Sequence, residues 1–556
     1  MQSYGKIISS YKKDSTLTIY KDYFETLFLQ QTEEFYRLES IIFLSNHSIS
    51  DYFIKVELYL DEEIQRVHSY LHPTILQSLI QYIEKVLIRD QSKTILAETK
   101  LWLRNEQNQD LSRLLNLASR IPNGIEQLKI IVENHLDELG QQMFQYDTST
   151  TINVEFDPKT YINKLIEIYK KLFSFLNDMF GEKHCFSSVF DKVCAKIINQ
   201  ISGNVTPSVQ HLSRYCDILL RKGDNAVKED NWENELKEIL IIFNYLHDKD
   251  IFMKFYQKLF AKRLIYELCV SDSFEEFLIS KFKMICGHEY TLKVEQMMKD
   301  IQLSKDLTQQ YRKQQNINKI GDFTVMVLTS NSWSFSQPDN VVLPDELKMT
   351  FDDFTKFYLQ QYVGRKLTLL HQYCKGELQM NSEAKIYRLQ VSTYQMMILL
   401  LFNRQSKWTV EQLHDRTQIK LNFLLEVLSS LLKSEVLRST GDLNSDTEIA
   451  LVENFTSEKI RINLNIPMKQ NKQKDSSDSK ISIDEERKSI IQAALVRIMK
   501  TSQKLKHALL MQEVIEQLSC RFKPNVMLIK KCIDILIEKD YFERDSNDKD
   551  ILHYVA

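Results

Sequence analysis

The stretch Asp484-Glu485-Glu486-Arg487-Lys488-Ser489-Ile490-Ile491-Gln492-Ala493-Ala494-Leu495-Val496-Arg497-Ile498-Met499-Lys500 carries an apolar repeat at helical spacing. At about 100° per residue Ile490, Ile491, Ala494, Leu495 and Ile498 gather on one side and Lys500 emerges nearly opposite them, which predicts a packed helix with one lysine held in water above it. A second apolar helix is expected over Ala508–Cys520, then a stop and restart at Phe522-Lys523-Pro524-Asn525, and a third helix over Val526–Lys539. Tyr541–Arg544 and Ile551–Val555, parted by Asn547-Asp548, suit a β-hairpin. Three helices closed by a hairpin predict a winged-helix module.

A chain of 556 residues exceeds what one core can organise, so several domains are expected. Eleven glycines and eight prolines are few for that length, which favours long helices. Because 72 basic residues nearly balance 75 acidic ones, no global field draws the chain to nucleic acid or to an anionic membrane. The start lacks the apolar core of a signal peptide, and the longest apolar run, Met396–Phe402, is too short to span a bilayer; the expected location is the cytoplasm and nucleus. Eight cysteines lie scattered without a CxxC pair, so neither a disulfide framework nor a zinc site is expected.

The run Ala494–Lys500, together with Lys504-Leu505-Lys506-His507, Arg521-Phe522-Lys523-Pro524 and the closing segment through Leu536–Lys539, Tyr541, Arg544 and Tyr554-Val555-Ala556, resembles the C-terminal domain of cullins, nearest those of SCF-type ubiquitin ligases. Phe542 stands where a smaller aliphatic is usual in that family, and Leu552 where an aromatic is. The resemblance implies that Lys500 accepts a ubiquitin-like modifier through an isopeptide bond.

Upstream, residues 1–205 read as helix after helix, broken at His72-Pro73, Pro122-Asn123-Gly124 and Asp157-Pro158. Within them Glu34-Phe35-Tyr36 and Arg66–His72, and just beyond them Arg214–Asp217, resemble the later helical repeats of the cullin stalk. The likeness begins near Tyr20, and nothing resembles the additional first repeat that docks a BTB-fold adaptor in that family, so adaptor binding is not carried over. Residues 206–318 are expected to form the helical bundle of the globular end. There Phe252, Phe255, Tyr256, Leu259 and Phe260 make an apolar face, while Lys254, Lys258 and Lys262 recur on the other side. Such lysines are usually a solvated flank. The resemblance of Phe260–Leu264, Ile279–Lys283 and Cys286–Thr291 to the cullin globular core makes Lys258, Lys262, Arg263, Lys281 and Lys283 the candidate basic patch for a ubiquitin-conjugating enzyme.

Residues 319–468 read as an α/β region ending in a winged helix, with helices in Thr409–Lys433 and strands at Glu448–Val452 and Lys459–Leu464. At its start Asp322–Leu328 alternates and is rich in β-branched residues, which predicts a strand leading to Trp333. In cullins the matching strand accepts one from a RING-box protein, which makes Phe323, Val325, Val327 and Trp333 the candidate RING-binding strand by strand addition. An ordinary internal strand would read the same way. Pro467 and the polar run 469–483 form an expected tether to the final module, 484–556.

No phosphate loop, HExxH, GxSxG or apolar carboxylate pair is visible, and Cys286 beside His288 lacks the setting of a nucleophile. The expected fold is therefore mainly α: a helical cullin-repeat stalk, a helical bundle, a small α/β region and winged helices. The expected function is that of a scaffold without catalytic residues, metal or cofactor. It holds a RING-box protein, through which a conjugating enzyme arrives, and it receives a ubiquitin-like modifier on Lys500. Two alternatives stay open: a shortened cullin-like chain that binds a RING but no adaptor, and a nucleic-acid-binding winged helix. Against the second, Lys530, Lys531, Asp534 and Glu538 share one face of the third helix, where the acids would repel phosphates.

Overall fold

The structure is a computed structural model that describes residues 20–555 apart from 146–156, 182–183, 201–206, 224–231, 315–322, 334, 336–339, 382–384, 453–454, 466–476, 546–547 and 549. The fold is mainly α, and the chain divides into two compact units, residues 1–219 with 227–252 and residues 220–226 with 253–556.

The first unit is a succession of helices: α1 (Thr26–Asn46), α2 (Ile49–Tyr70), α3 (Leu76–Glu84), α4 (Ser92–Arg104), α5 (Asn108–Ala118), α6 (Gly124–Gln145), α7 (Pro158–Phe180), α8 (Ser187–Ile198), α9 (Pro207–Leu220) and α10 (Trp232–Tyr245). In α2 the buried residues Tyr52, Phe53, Val56, Tyr59, Leu60, Glu63 and Val67 keep the helical period. Ser48 caps that helix by accepting from the Asp51 N–H at 3.2 Å. Glu63 is tolerated in this core because the Tyr36 hydroxyl donates to it at 2.6 Å and Arg66 pairs with it. On α1, by contrast, Leu27, Phe35, Leu38, Ile41 and Ile42 stay exposed.

The second unit opens with three long helices, α11 (Lys249–Ile265), whose first residues belong to the first unit, α12 (Asp272–Cys286) and α13 (His288–Gln314), followed by α14 (Asp345–Gln361). The apolar face foreseen on α11 is buried at Phe252, Tyr256 and Phe260. Next come β1 (Lys375–Asn381), β2 (Ile386–Ser392), α15 (Thr393–Leu401), β3 (Lys407–Thr409), α16 (Val410–Thr417), α17 (Leu421–Lys433), β4 (Leu437–Ser439), β5 (Glu448–Leu451) and β6 (Arg461–Asn463). The sheet ordered β3-β5-β4 closes a winged helix around α15–α17. The strand expected at Lys459–Leu464 is not part of its wing: β6 runs parallel to β2, with Leu389 opposite Ile462, in a separate sheet ordered β1-β2-β6. Sequence spacing could not reveal this, because a short strand's partner is chosen by tertiary packing.

The last module consists of α18 (Ser477–Ser502), β7 (Lys504–Lys506), α19 (His507–Leu518), α20 (Val526–Glu538), β8 (Phe542–Arg544) and β9 (Ile551–Tyr554), with sheet order β7-β9-β8. Its core gathers Ile491, Ala494, Leu495, Met499, Leu510, Val514, Phe522, Ile533, Phe542 and Leu552. Phe542 and Leu552, the two departures from the family pattern, are both buried in this one core. The tether foreseen over 469–483 lies outside the described residues as far as 476, and its remainder, 477–483, belongs to α18.

Candidate functional site

Lys500 occupies the last turn of α18, exposed beside the fully buried Met499. Beyond it the chain turns back through Gln503, whose φ of +60° is left-handed. The Gln503 N–H donates to the Met499 carbonyl at 2.7 Å and its side-chain amide to the Lys500 carbonyl at 2.8 Å, while its own carbonyl accepts from the Tyr554 N–H at 2.9 Å. The lysine backbone is therefore fixed to the sheet while its amine stands in solvent, where the C-terminal end of the helix dipole favours a cation. Among the described residues no ion pair engages its Nζ.

One turn earlier, Arg497 meets Glu289, from the start of α13, at 3.0 Å, and Arg521 meets the same carboxylate at 3.0 Å. Arg521 Nε also donates to the Cys286 carbonyl at 3.2 Å, and Lys254 pairs with Glu486 at 2.8 Å. Partial burial pushes the Glu289 carboxyl up, but the Arg521 hydrogen bond and the charges of Arg497 and Arg521 outweigh it and hold the group below its ordinary value. The motif stretches Cys286–Thr291 and Arg521–Pro524, 230-odd positions apart in sequence, are thus the two sides of one seam that seats the last module on α12 and α13. Sequence reasoning recognised both stretches and missed their meeting.

The strand predicted over Asp322–Leu328 is not formed: residue 322 lies outside the described residues, and 323–329 belong to none of the three sheets, although their backbone groups bond at alternate residues, in the manner of extended chain. One backbone edge is instead bonded to side chains of α13. Arg312 Nε donates to the Phe323 carbonyl at 3.3 Å. Thr308 Oγ1 accepts from the Val325 N–H at 3.3 Å and donates to the Val325 carbonyl at 3.2 Å. Ser304 Oγ accepts from the Val327 N–H at 2.8 Å, and Asp300 accepts from the Thr329 N–H at 2.8 Å. Four helical residues rise about 6 Å and two extended residues about 6.6 Å, so every fourth position of a helix can serve every second position of a strand. Backbone groups alternate sides along an extended chain, so those of Thr324, Met326 and Leu328 face away from α13. Among the described residues they form no backbone hydrogen bond.

Phe323, Val325 and Val327 pack against Tyr311, Phe354, Phe357 and Tyr358. Trp333 is buried, and its indole N–H donates to Asp300 at 2.8 Å, so it anchors the end of the segment and offers no contact surface. Asp300, Ser304, Thr308 and Arg312 escaped sequence reasoning because polar residues at i, i+4, i+8 and i+12 read as a solvated flank; the signal was the repeat of that spacing opposite an alternating segment.

Of the candidate basic patch, Lys258 and Lys262 are exposed on α11, and Lys281 lies partly exposed with its Nζ 5.4 Å from the Phe277 ring. Lys283 is exposed and pairs with Glu295 at 3.1 Å. Arg263 does not belong to the surface: it is 1% exposed, its Nε and Nη2 reach Glu275 at 2.9 and 3.1 Å, and the Tyr256 hydroxyl donates to the same carboxylate at 2.7 Å. A guanidinium with a bidentate buried partner is a core device. On α20 Lys530, Lys531, Asp534 and Glu538 are all exposed, and Arg544 pairs with Asp534 at 3.6 Å, so acids interrupt that face.

Residues 1–308 match the cullin alpha solenoid domain, 327–455 the cullin alpha+beta domain and 486–548 the cullin protein neddylation domain. The solenoid match begins at residue 1, not near Tyr20 as the residue patterns suggested. The chain is 38% identical to Cullin-1 of Dictyostelium discoideum over 98% of its own length and 73% of that protein's. It is 36% identical to Cullin-1 of Caenorhabditis elegans, covering 98% and 72% of the two chains, and 37% identical to Cullin-1 of Schizosaccharomyces pombe, covering 96% and 71%.

Proposed function

The chain belongs to the cullin family and is the scaffold of an SCF-type ubiquitin ligase that carries a ubiquitin-like modifier; from that premise we propose that Lys500 is the acceptor, that the free edge of 324–328 takes a strand from a RING-box protein, and that the chain supplies no catalytic group. The observation that carries this reading is the edge itself. A segment pinned along one side by α13 and, among the described residues, without a backbone partner along the other has the form that strand addition requires. The conjugating enzyme then arrives on the RING, with Lys258, Lys262, Lys281 and Lys283 as its steering charges. Holding donor and target on one scaffold raises their effective concentration and orients them.

At Lys500 the amine attacks the thioester carbonyl of the charged enzyme, the isopeptide bond forms, and the enzyme's thiol leaves. An ammonium must first lose a proton, so the base comes from the conjugating enzyme or the RING protein. Lys500 stands three residues from Arg497, hence on the same flank of α18 as the Glu289 seam. A folded modifier attached there crowds the seam and loosens the last module, which links modification to activation. Reconstitution with the modifier, its enzymes and a RING-box protein tests the assignment: the slower-migrating conjugate forms on the native chain and vanishes in Lys500→Arg while RING binding is kept. A conjugate that persists in that variant contradicts it.

A further inference from the structure

We propose that Cys286 and Cys520 form a reversible disulfide that locks the last module onto the helical bundle. Cys286 is the final residue of α12, and Cys520 lies just beyond the end of α19. The two thiols contact each other's backbones reciprocally: Cys286 Sγ lies 3.3 Å from the Cys520 carbonyl oxygen, and Cys520 Sγ lies 3.9 Å from that of Cys286. Both residues are flanked by fixed geometry. Gly287 takes a φ of +86° and donates to the Lys283 carbonyl, closing α12, while Arg521 Nε holds the Cys286 carbonyl at 3.2 Å. Each sulfur thus already lies against the other residue's backbone, and the proposed bond requires the two side chains to turn from the facing carbonyls toward each other.

The thiols differ in access. Cys520 is partly exposed and Cys286 is buried, an arrangement of an attacking and a resolving thiol. With hydrogen peroxide as the oxidant, the Cys520 thiolate forms an S–O bond as the peroxide O–O bond breaks, and the released hydroxide takes the thiol proton to leave as water. The Cys286 thiolate then forms the S–S bond as the S–O bond breaks, and its proton leaves with the second hydroxyl as water. Two thiols and one peroxide thus give one disulfide and two waters, and a dithiol reverses the step by exchange. Because the bond crosses the Glu289 seam, it opposes any release of the module that carries Lys500. In a reducing compartment a disulfide of this kind is transient and reports an oxidising episode.

Peptide mapping of the full chain tests the pairing. After treatment with hydrogen peroxide, alkylation of remaining thiols and tryptic digestion, the expected product is the segment 284–293 joined to 507–521, absent from reduced samples and from Cys520→Ser and Cys286→Ser. Amide exchange across 518–522 should slow several-fold on oxidation and recover with dithiothreitol. Cys520 trapped as a sulfenic acid or a mixed disulfide without that linked peptide, or joined mainly to another cysteine, overturns the proposal. Unchanged exchange in a chain that does carry the bond overturns the lock.

Discussion

At the level of single side chains, Lys500 differs from its exposed neighbours by what holds its backbone: the left-handed turn at Gln503 and the buried Met499. Its exposure was legible from helical angle alone, since 3.6 residues per turn place it opposite the apolar stripe. The burial of Arg263 was not, because nothing in the i, i+4 lysine pattern shows that Glu275 folds back over α11. That pair makes a stability prediction. Glu275→Ala leaves a buried guanidinium without compensation, and denaturant titration should show a loss of about 3–5 kcal/mol. A change below about 1 kcal/mol contradicts the burial. Glu289 makes a prediction in pH. Its folded-state carboxyl lies below the ordinary value, so it stabilises the seam above that value, and the contribution disappears as pH falls through the lowered one. Protection of the amides along 518–522, taken relative to their intrinsic exchange rate at each pH, should therefore hold from neutrality down to about pH 4.5 and fall below it; protection already lost near pH 6 would assign the seam to other groups.

At the scale of elements lies the proposed binding surface. The alternation of Asp322–Leu328 announced a strand, and the structure forms none there: helix side chains take the place of a neighbouring strand along one edge, which alternation cannot convey. This arrangement separates two kinds of proline substitution. Met326→Pro removes an outward N–H while leaving the bonds of Thr308 and Ser304 in place, so binding of a RING-box protein should fall at least about tenfold with little change in folding. Val327→Pro removes the N–H that Ser304 accepts, and should cost stability as well. Calorimetric titration and thermal unfolding of the two variants read these losses separately. Equal binding by Met326→Pro and the native chain contradicts strand addition at this edge. The final winged helix was legible almost to its ends, apart from the three-residue β7, too short to announce itself among Lys504-Leu505-Lys506. The first winged helix was legible in α16, α17 and β5, whereas α15 was not foreseen and β6 went to another sheet because register across distant segments is settled by the core.

In the whole molecule, low glycine and proline content announced a helical chain. What spacing could not convey was that Cys286–Thr291 and Arg521–Pro524 face each other, so that the module bearing Lys500 rests on the bundle through Glu289. In the proposed function the edge at 324–328 and the amine at Lys500 serve one purpose: the first would recruit the machinery that modifies the second. Single-turnover transfer of the modifier, with RING-box protein and charged conjugating enzyme, measures that dependence on the native chain and on Met326→Pro. The account predicts one modifier at Lys500 of the native chain and transfer near the unassisted rate for Met326→Pro, whose lysine is intact. Native-rate transfer to Met326→Pro, or transfer to a different lysine of the native chain, would contradict it.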